Sequence, residues 1–286
     1  MPRQNILLCY PFEQKRIEKW LKKDNHFYVQ PKLDGDRMIA NIHSDRVQLL
    51  SSEGNDRNYS LPHIVEELEK NIRIFHARGI YTLDGEAYNH ELSFEEIRSI
   101  TSRTKNLHPD HTKINFHVFD HDVPYTYFEN RYTELTFLPV TSFSVSYVRL
   151  VPSNAVRNLQ EFYSAYKNFL SLGYEGIIAR NRYLLYEHKR SNNILKYKPK
   201  KKDSYRIVAI LEEQTIYGEP KDIAGSILLS DPEGNQFSVS AGMNDEEKKL
   251  IWENRDSLIG TMAEVHYQAT TSSGVPKFAT DIKVKI

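Results

Sequence analysis

Apolar positions recur at helical spacing in FEQKRIEKWLKK (residues 12–23), where Phe12, Ile17, Trp20 and Leu21 share a face. Residues 27–30 then read as a strand, and a second strand, Arg37 to Ile42, follows an Asp-Gly turn signal at Asp34-Gly35. Together they predict a hairpin with QPKLDGDR (residues 30–37) at its tip. Residues 62–77 predict one helix that opens on a proline, a residue suited to the first helical turn. Tyr81–Tyr88 and Ile114–Asp120 predict strands, with the helical FEEIRSITSR between them. Leu159–Leu172 predicts another helix, closed by Gly173 as its C-terminal cap. Strands GIIAR and ILKYKP follow.

The texture changes after a run of lysines. Tyr205–Glu213 alternates apolar and polar residues, and Ala224–Ser230 and Gln236–Ser240 flank DPEGN, a hairpin signal. Asn244 and Glu247 have capping-box spacing, so a helix carrying Leu250, Ile251 and Leu258 is expected to end before Gly260. Thr261–Ala269 and Thr280–Ile286 supply two more strands. Three strands, a helix and two strands is the order of a five-stranded OB-fold β-barrel, a fold that often binds nucleic acid. The expected division is 1–202 and 203–286.

Composition narrows the class more than it defines it. The 286 residues suffice for two domains, and no stretch approaches the roughly 18 apolar residues of a membrane span. One cysteine, Cys9, excludes an internal disulfide and a cysteine-rich zinc module, and fits a cytoplasmic, reducing setting. The formal net charge is zero, yet Lys189, Arg190, Lys196, Lys198, Lys200, Lys201 and Lys202 crowd a segment without acids. Such a run is either a solvated surface or a phosphate-binding patch.

Lys32 precedes the Asp-Gly pair. A lysine nucleophile needs its neutral amine, which partial burial and neighbouring cations favour, and Arg37 is one turn away. On its own the stretch reads equally as a polar hairpin tip. Four other segments supply what a nucleophilic lysine requires. LDGEAY (83–88) repeats the Asp-Gly signal with Glu86 beyond it, and YEGIIAR (174–180) puts Glu175 at the mouth of an apolar strand. HVFDHD (117–122) offers Phe119, and KRSNNILKYKPKKKD (189–203) puts Lys196 and Lys198 on one strand face. Carboxylates for a hard cation, several cations and an aromatic plate suit nucleotide binding and nucleotidyl transfer.

These segments, in this order, resemble the motifs of the covalent nucleotidyltransferases. Lys32 to Arg37 resembles motif I, Asp84-Gly85-Glu86 motif III, Phe119-Asp120 motif IIIa, Glu175 to Arg180 motif IV and Leu195 to Pro199 motif V. Within that superfamily the EGIIAR form and Arg190 to Lys196 look most like ATP-dependent DNA ligases of the minimal two-domain form found in viruses, phages and some bacteria. The resemblance implies an α+β fold: a nucleotidyltransferase domain of ATP-grasp-like antiparallel sheets with helices, then the OB barrel. It implies ATP and Mg²⁺ (Mn²⁺ substituting), nicked duplex DNA as partner, and a cytoplasmic monomer, phage- or virus-encoded, serving repair, replication or recombination.

The same resemblance assigns roles. Lys32 is the catalytic nucleophile that takes AMP; Gln30 reads adenine and Phe119 stacks on it. Arg37 and Arg190 grip ribose or phosphate, Lys196 and Lys198 neutralise the α-phosphate, and Glu86 faces ribose or, with Glu175, a metal. Lys200, Lys201 and Lys202 meet DNA. Two places depart from the family. Ser52, in LLSSEGNDRN, stands where ligases usually carry an arginine that engages the nick, with Arg57 as a replacement. The C-terminal motif keeps Pro276 and Phe278 but relies on Lys283 and Lys285 instead of its first arginine. Alternatives are an RNA ligase, a GTP-using capping enzyme, and a nucleic-acid binder without catalysis.

Overall fold

The computed structural model describes residues 6–138, 146–199, 201–240, 242–267, 269–271, 274–277, 279 and 281–285. It divides into two compact units, Met1–Tyr197 and Lys198–Ile286, a boundary five residues ahead of the one read from the sequence.

In the first unit the chain runs β1 (Leu8–Pro11), α1 (Gln14–Lys23), β2 (Phe27–Lys32), β3 (Asp36–Ile42), β4 (Val47–Ser51), α2 (Pro62–Glu69) and α3 (Ile72–Ala77). It continues with β5 (Thr82–Tyr88), α4 (Phe94–Thr101), β6 (Asn115–His121), α5 (Phe128–Thr136), β7 (Val148–Leu150) and β8 (Asn154–Val156). Helix α6 (Leu159–Ser171) and strands β9 (Gly176–Arg180) and β10 (Arg190–Tyr197) complete it. One sheet has the order β1-β10-β9-β2-β8, the other β4-β3-β5-β6-β7. Helices α1 and α6 cover the first: Ile17, Trp20 and Phe162 join Phe27, Val29 and Ile177 in its core. The second sheet buries Met38, Leu49, Leu83 and Phe116 with Ile64, Leu68 and Phe75 from α2 and α3.

Local chemistry explains most helix ends. Ser93 and Glu96 form the capping box of α4, and Asn158 caps α6, which closes on Gly173 at φ +88°. The single helix expected over 62–77 is two, interrupted at Lys70–Asn71, where the Asn71 side chain donates to the Glu67 carbonyl and its N–H to Leu68.

The expected hairpin at QPKLDGDR is absent. β2 and β3 do not pair; each belongs to a different sheet, and Leu33-Asp34-Gly35 crosses between them. Gly35 is required by proximity: a Cβ there would stand 2.4 Å from the Ala87 carbonyl oxygen and 2.8 Å from Glu86 Cγ. Asp84-Gly85 is not a turn either. It lies inside β5, at an irregularity in pairing with β6, and a Cβ on Gly85 would meet the His117 oxygen at 2.6 Å. Both glycines mark a close approach of backbones, the second use of glycine in sheets. Gly35→Ala is therefore expected to cost about 1–3 kcal/mol by overpacking, read as a lower urea midpoint with unchanged slope.

The second unit runs β11 (Lys201–Gln214), β12 (Pro220–Ser230), β13 (Gln236–Val239), α7 (Asp245–Glu253), α8 (Arg255–Leu258), β14 (Met262–Tyr267), β15 (Ala269–Thr270), β16 (Pro276–Lys277) and β17 (Asp281–Val284). Its five-stranded sheet has the order β13-β12-β11-β14-β17. That is the OB order, open between the third and fifth of its strands among the described residues. The Asn244–Glu247 capping box opens α7, and a break at Asn254 separates α8 from it. Ile207, Ile227, Leu229, Ile251 and Val265 form the core. β11 starts inside the lysine run: Lys201 pairs with Tyr267 and Lys202 with His266. No helix among the described residues is long and apolar enough to cross a membrane.

Candidate active site

Where the two sheets of the first unit meet, a cavity of about 550 Å³ opens, a size suited to a nucleotide. Strand β2 brings Gln30 and Lys32 to it, β3 Arg37, β5 Glu86, β6 Phe119, and β10 Arg190 and Lys196. Seven of the positions singled out in the sequence thus line one cavity, drawn from both sheets. Glu175, just before β9, reaches the same place through its contact with Lys32. Lys198 falls in the second unit and is not a lining residue. Lys201 and Lys202 are exposed on β11, with Lys202 paired to Glu264 at 3.2 Å; Lys200 and Phe278 lie outside the described residues.

Lys32 is three-quarters buried and ion-paired with Glu175 Oε2. Burial alone would lower its pKa; the charge and hydrogen bond of Glu175, helped by Glu86 and Asp34, more than reverse this and raise it. That corrects the expectation of an amine made neutral by burial and by Arg37. Arg37 is committed elsewhere: its Nε and Nη2 donate to Asp84 at 2.9 and 2.6 Å. Glu86 has the opposite environment. Burial pushes its carboxyl up to about 8, although Lys32 and Arg37 pull it down.

A buried polar network runs beside the cavity, joined by Arg131, which the sequence did not announce. Arg180 Nε donates to Gln30 Oε1 at 2.7 Å, and its Nη1 to Asp120 Oδ2 at 2.9 Å. Arg131, fully buried, donates to both Asp120 oxygens at 2.7 and 3.0 Å. Gln30 Nε2 donates to the Phe119 carbonyl at 3.3 Å. The guanidinium carbons of Arg37 and Arg180 lie 5.4 and 5.3 Å from the centre of the Phe119 ring, within cation–π range. The plate and the amide expected to read a base are therefore fixed from behind.

Tyr186, also unannounced, donates its hydroxyl to Asp84 Oδ2 at 2.7 Å, the same oxygen that receives Arg37 Nη2. Burial, then the Asp84 charge, raises the phenol pKa well above its ordinary value, so it remains a donor. Tyr186→Phe is expected to lose roughly 1–3 kcal/mol, the worth of a hydrogen bond to a buried charge, and to weaken nucleotide binding in the cavity through a looser Arg37. Denaturant titration and the KM for ATP check the two halves.

Arg57 does not stand where a strand could reach it. It is 5% exposed, its Nε is buried without a hydrogen-bond partner, and Asp36 and Arg98 are its charged neighbours. Burial lowers its pKa. The expectation that it replaces an arginine at Ser52 is withdrawn.

Paired sheets around a nucleotide-sized cavity, with an OB-like domain after them in the chain, define the nucleotidyltransferase class. The chain belongs to the ATP-dependent DNA ligase family: residues 7–198 match the model of the ATP dependent DNA ligase domain and residues 217–285 that of the DNA ligase OB-like domain. A DNA ligase of Haemophilus influenzae is 26% identical over 278 residues, covering 96% of this chain and 90% of that protein. The DNA ligase of Enterobacteria phage T6 is also 26% identical, over 92% of this chain and 63% of its own length. Among solved structures, a Lig E DNA ligase described as binding DNA with a minimal scaffold superposes with TM-score 0.70 at 19% identity, covering 98% of each chain. The bacteriophage T7 ATP-dependent DNA ligase in complex with ATP superposes with TM-score 0.57 at 15% identity, over 98% of each. Likeness at that identity speaks to the fold.

Proposed function

We propose that this ATP-dependent DNA ligase seals nicks in duplex DNA with Lys32 as the residue that carries AMP. The observation that supports it most is the placement of Lys32: last residue of β2, lining the cavity, in contact with Glu175 and within the field of Glu86. In the first step Lys32 Nζ attacks the α-phosphorus of ATP. A nitrogen–phosphorus bond forms, the bond to the bridging oxygen breaks, and pyrophosphate leaves. Glu175 Oε2, already against Nζ, is the acceptor nearest the proton that must go. Lys196 and Arg190 offset charge developing on the phosphate, while Phe119 and Gln30 hold the base. AMP then passes to the 5′-phosphate at the nick, and the 3′-hydroxyl displaces it to join the strand.

Glu175 and Glu86 are the residues that would hold Mg²⁺. Among the described residues no group of three or more His, Cys, Asp or Glu forms a cage. Mg²⁺ keeps several waters and takes substrate phosphate, so few protein carboxylates suffice; Glu175 would offer one directly, and the charge of the ion would draw the proton off Glu86, whose carboxyl burial otherwise pushes up to about 8. When bound, the ion neutralises phosphate charge, and Mn²⁺ substitutes. Lys201 and Lys202 add phosphate contacts that weaken as salt rises. A cytoplasmic setting goes with the single, free Cys9.

Incubation with ATP labelled at the α-phosphate should leave label on the protein, and the labelled protein should then join nicked duplex DNA. Labelling by GTP alone would sink the reading, and faster sealing of RNA-containing nicks would move it to an RNA ligase.

A further inference from the structure

Arg98 stands at the edge of the cavity, in none of the segments to which the sequence assigned chemistry. It belongs to α4 and lines the cavity beside Phe94, Ser52 and Glu53. Its side chain is 36% exposed, against 22% for Lys32 and 19% for Arg37, which puts it nearer the mouth. A buried anchor holds it: Arg98 Nη1 donates to Asp36 Oδ1 at 2.8 Å, while the Thr101 hydroxyl fixes Oδ2 at 2.7 Å. Asp36 is 5% exposed. The anchor uses one nitrogen of a group with five N–H donors, so the fork has donors left for a ligand. Two other guanidiniums of the cavity are more heavily committed, and Arg190 is held through one nitrogen, as Arg98 is. Arg37 gives two nitrogens to Asp84, Arg180 binds Gln30 and Asp120, and Arg190 donates to the Cys9 carbonyl.

We propose that Arg98 grips the terminal 5′-phosphate of the strand being joined, at the mouth of the cavity, and not the phosphates of ATP. The proposal rests on the nick-sealing reading above. A guanidinium matches the planar, two-point geometry of phosphate oxygens. Because Asp36 and Thr101 already fix its orientation, little side-chain freedom is lost on binding. A phosphate on an arriving strand meets Arg98 before the deeper Lys32 and Arg37, whereas ATP occupies the space around Lys32 and Phe119; Arg190, exposed on β10, is the other cation at the surface of the cavity. Glu53, exposed on the same rim, carries the opposite sign and opposes an arriving phosphate.

The test uses the full chain and two nicked duplexes that differ only in a 5′-phosphate or a 5′-hydroxyl. Binding of each by gel shift gives a phosphate preference, and labelling by ATP gives the first step separately. Arg98→Ala should reduce the phosphate preference on the order of tenfold, the worth of a charge-assisted hydrogen bond, with labelling by ATP within about twofold of the parent. Arg98→Lys should restore part of it. Glu53→Gln should raise the preference, a change of opposite direction that a poorly folded protein cannot mimic. An unchanged preference in Arg98→Ala overturns the proposal. So does a loss confined to ATP labelling, which would assign Arg98 to the nucleotide. A parent protein that takes label from ATP yet seals no nick sinks the nick-sealing reading, not the geometry of Arg98.

Discussion

Lys32→Ala is expected to abolish covalent labelling by ATP and, with it, ATP-driven sealing, by about three orders of magnitude or more. Replacing the side chain removes the amine proposed to form the bond to phosphorus, and the group in contact with it, Glu175, is not a nucleophilic amine. The fold should survive, because Lys32 ends a strand and its removal frees Glu175 to meet water in the cavity. Lys32→Arg should be as inactive, since guanidinium stays protonated. A nick already carrying adenylate bypasses the first step, so sealing of that substrate should persist in Lys32→Ala. Measuring all three reactions on one preparation checks the assignment; label on the Ala variant would move the nucleophile elsewhere.

Asp120→Ala should be the most damaging change away from the cavity surface. Asp120 is fully buried between Arg131 and Arg180, and its loss leaves two buried guanidiniums without their counter-charge. Breaking such a pair from one side costs roughly 3–5 kcal/mol, enough to unfold much of the first unit at ordinary stabilities. Burial works to raise the Asp120 pKa, and Arg131, then Arg180, more than reverse it, so the folded carboxyl titrates below its ordinary range. The stability it contributes is complete above the unfolded carboxylate pKa of about 3.9 and is lost as pH falls through the folded value. Thermal melts of the parent from pH 7 down to 2 should show that acid loss setting in below about pH 4.

Much of the cavity was legible because its residues come in short segments whose spacing is fixed by strands. Lys32, Glu86, Phe119 and Lys196 each sit at a strand position that period-two alternation aims at one face. The two Asp-Gly pairs were legible as special backbone but not as what they are. A turn and a close approach of two strands ask for the same residue, and only the neighbouring strand distinguishes them. Arg131 gave no signal at all. It is one of several charged residues in its helix, and its partners are 11 residues away in the case of Asp120 and 53 in the case of the Leu184 carbonyl. Arg57 misled for the related reason that an arginine in a polar loop is normally exposed, while here the fold closes over it. Arg98 went unnoticed because FEEIRSITSR reads as an ordinary amphipathic helix, and nothing local says that Asp36, 62 positions earlier, will hold it.

The crossing at Leu33-Asp34-Gly35 has a consequence for damaged copies of the enzyme. Lys32, the proposed nucleophile, ends a strand of one sheet, and the chain enters the other four residues later. A molecule that has lost either sheet, through a protease cut or a partial melt, has also lost the wall against which Lys32 is aimed. With Lys32 as the proposed carrier of AMP, half-intact protein should be mute, unable to load AMP onto a DNA end that it cannot finish joining. Reactivity toward ATP should then double as a certificate that the whole first unit is assembled.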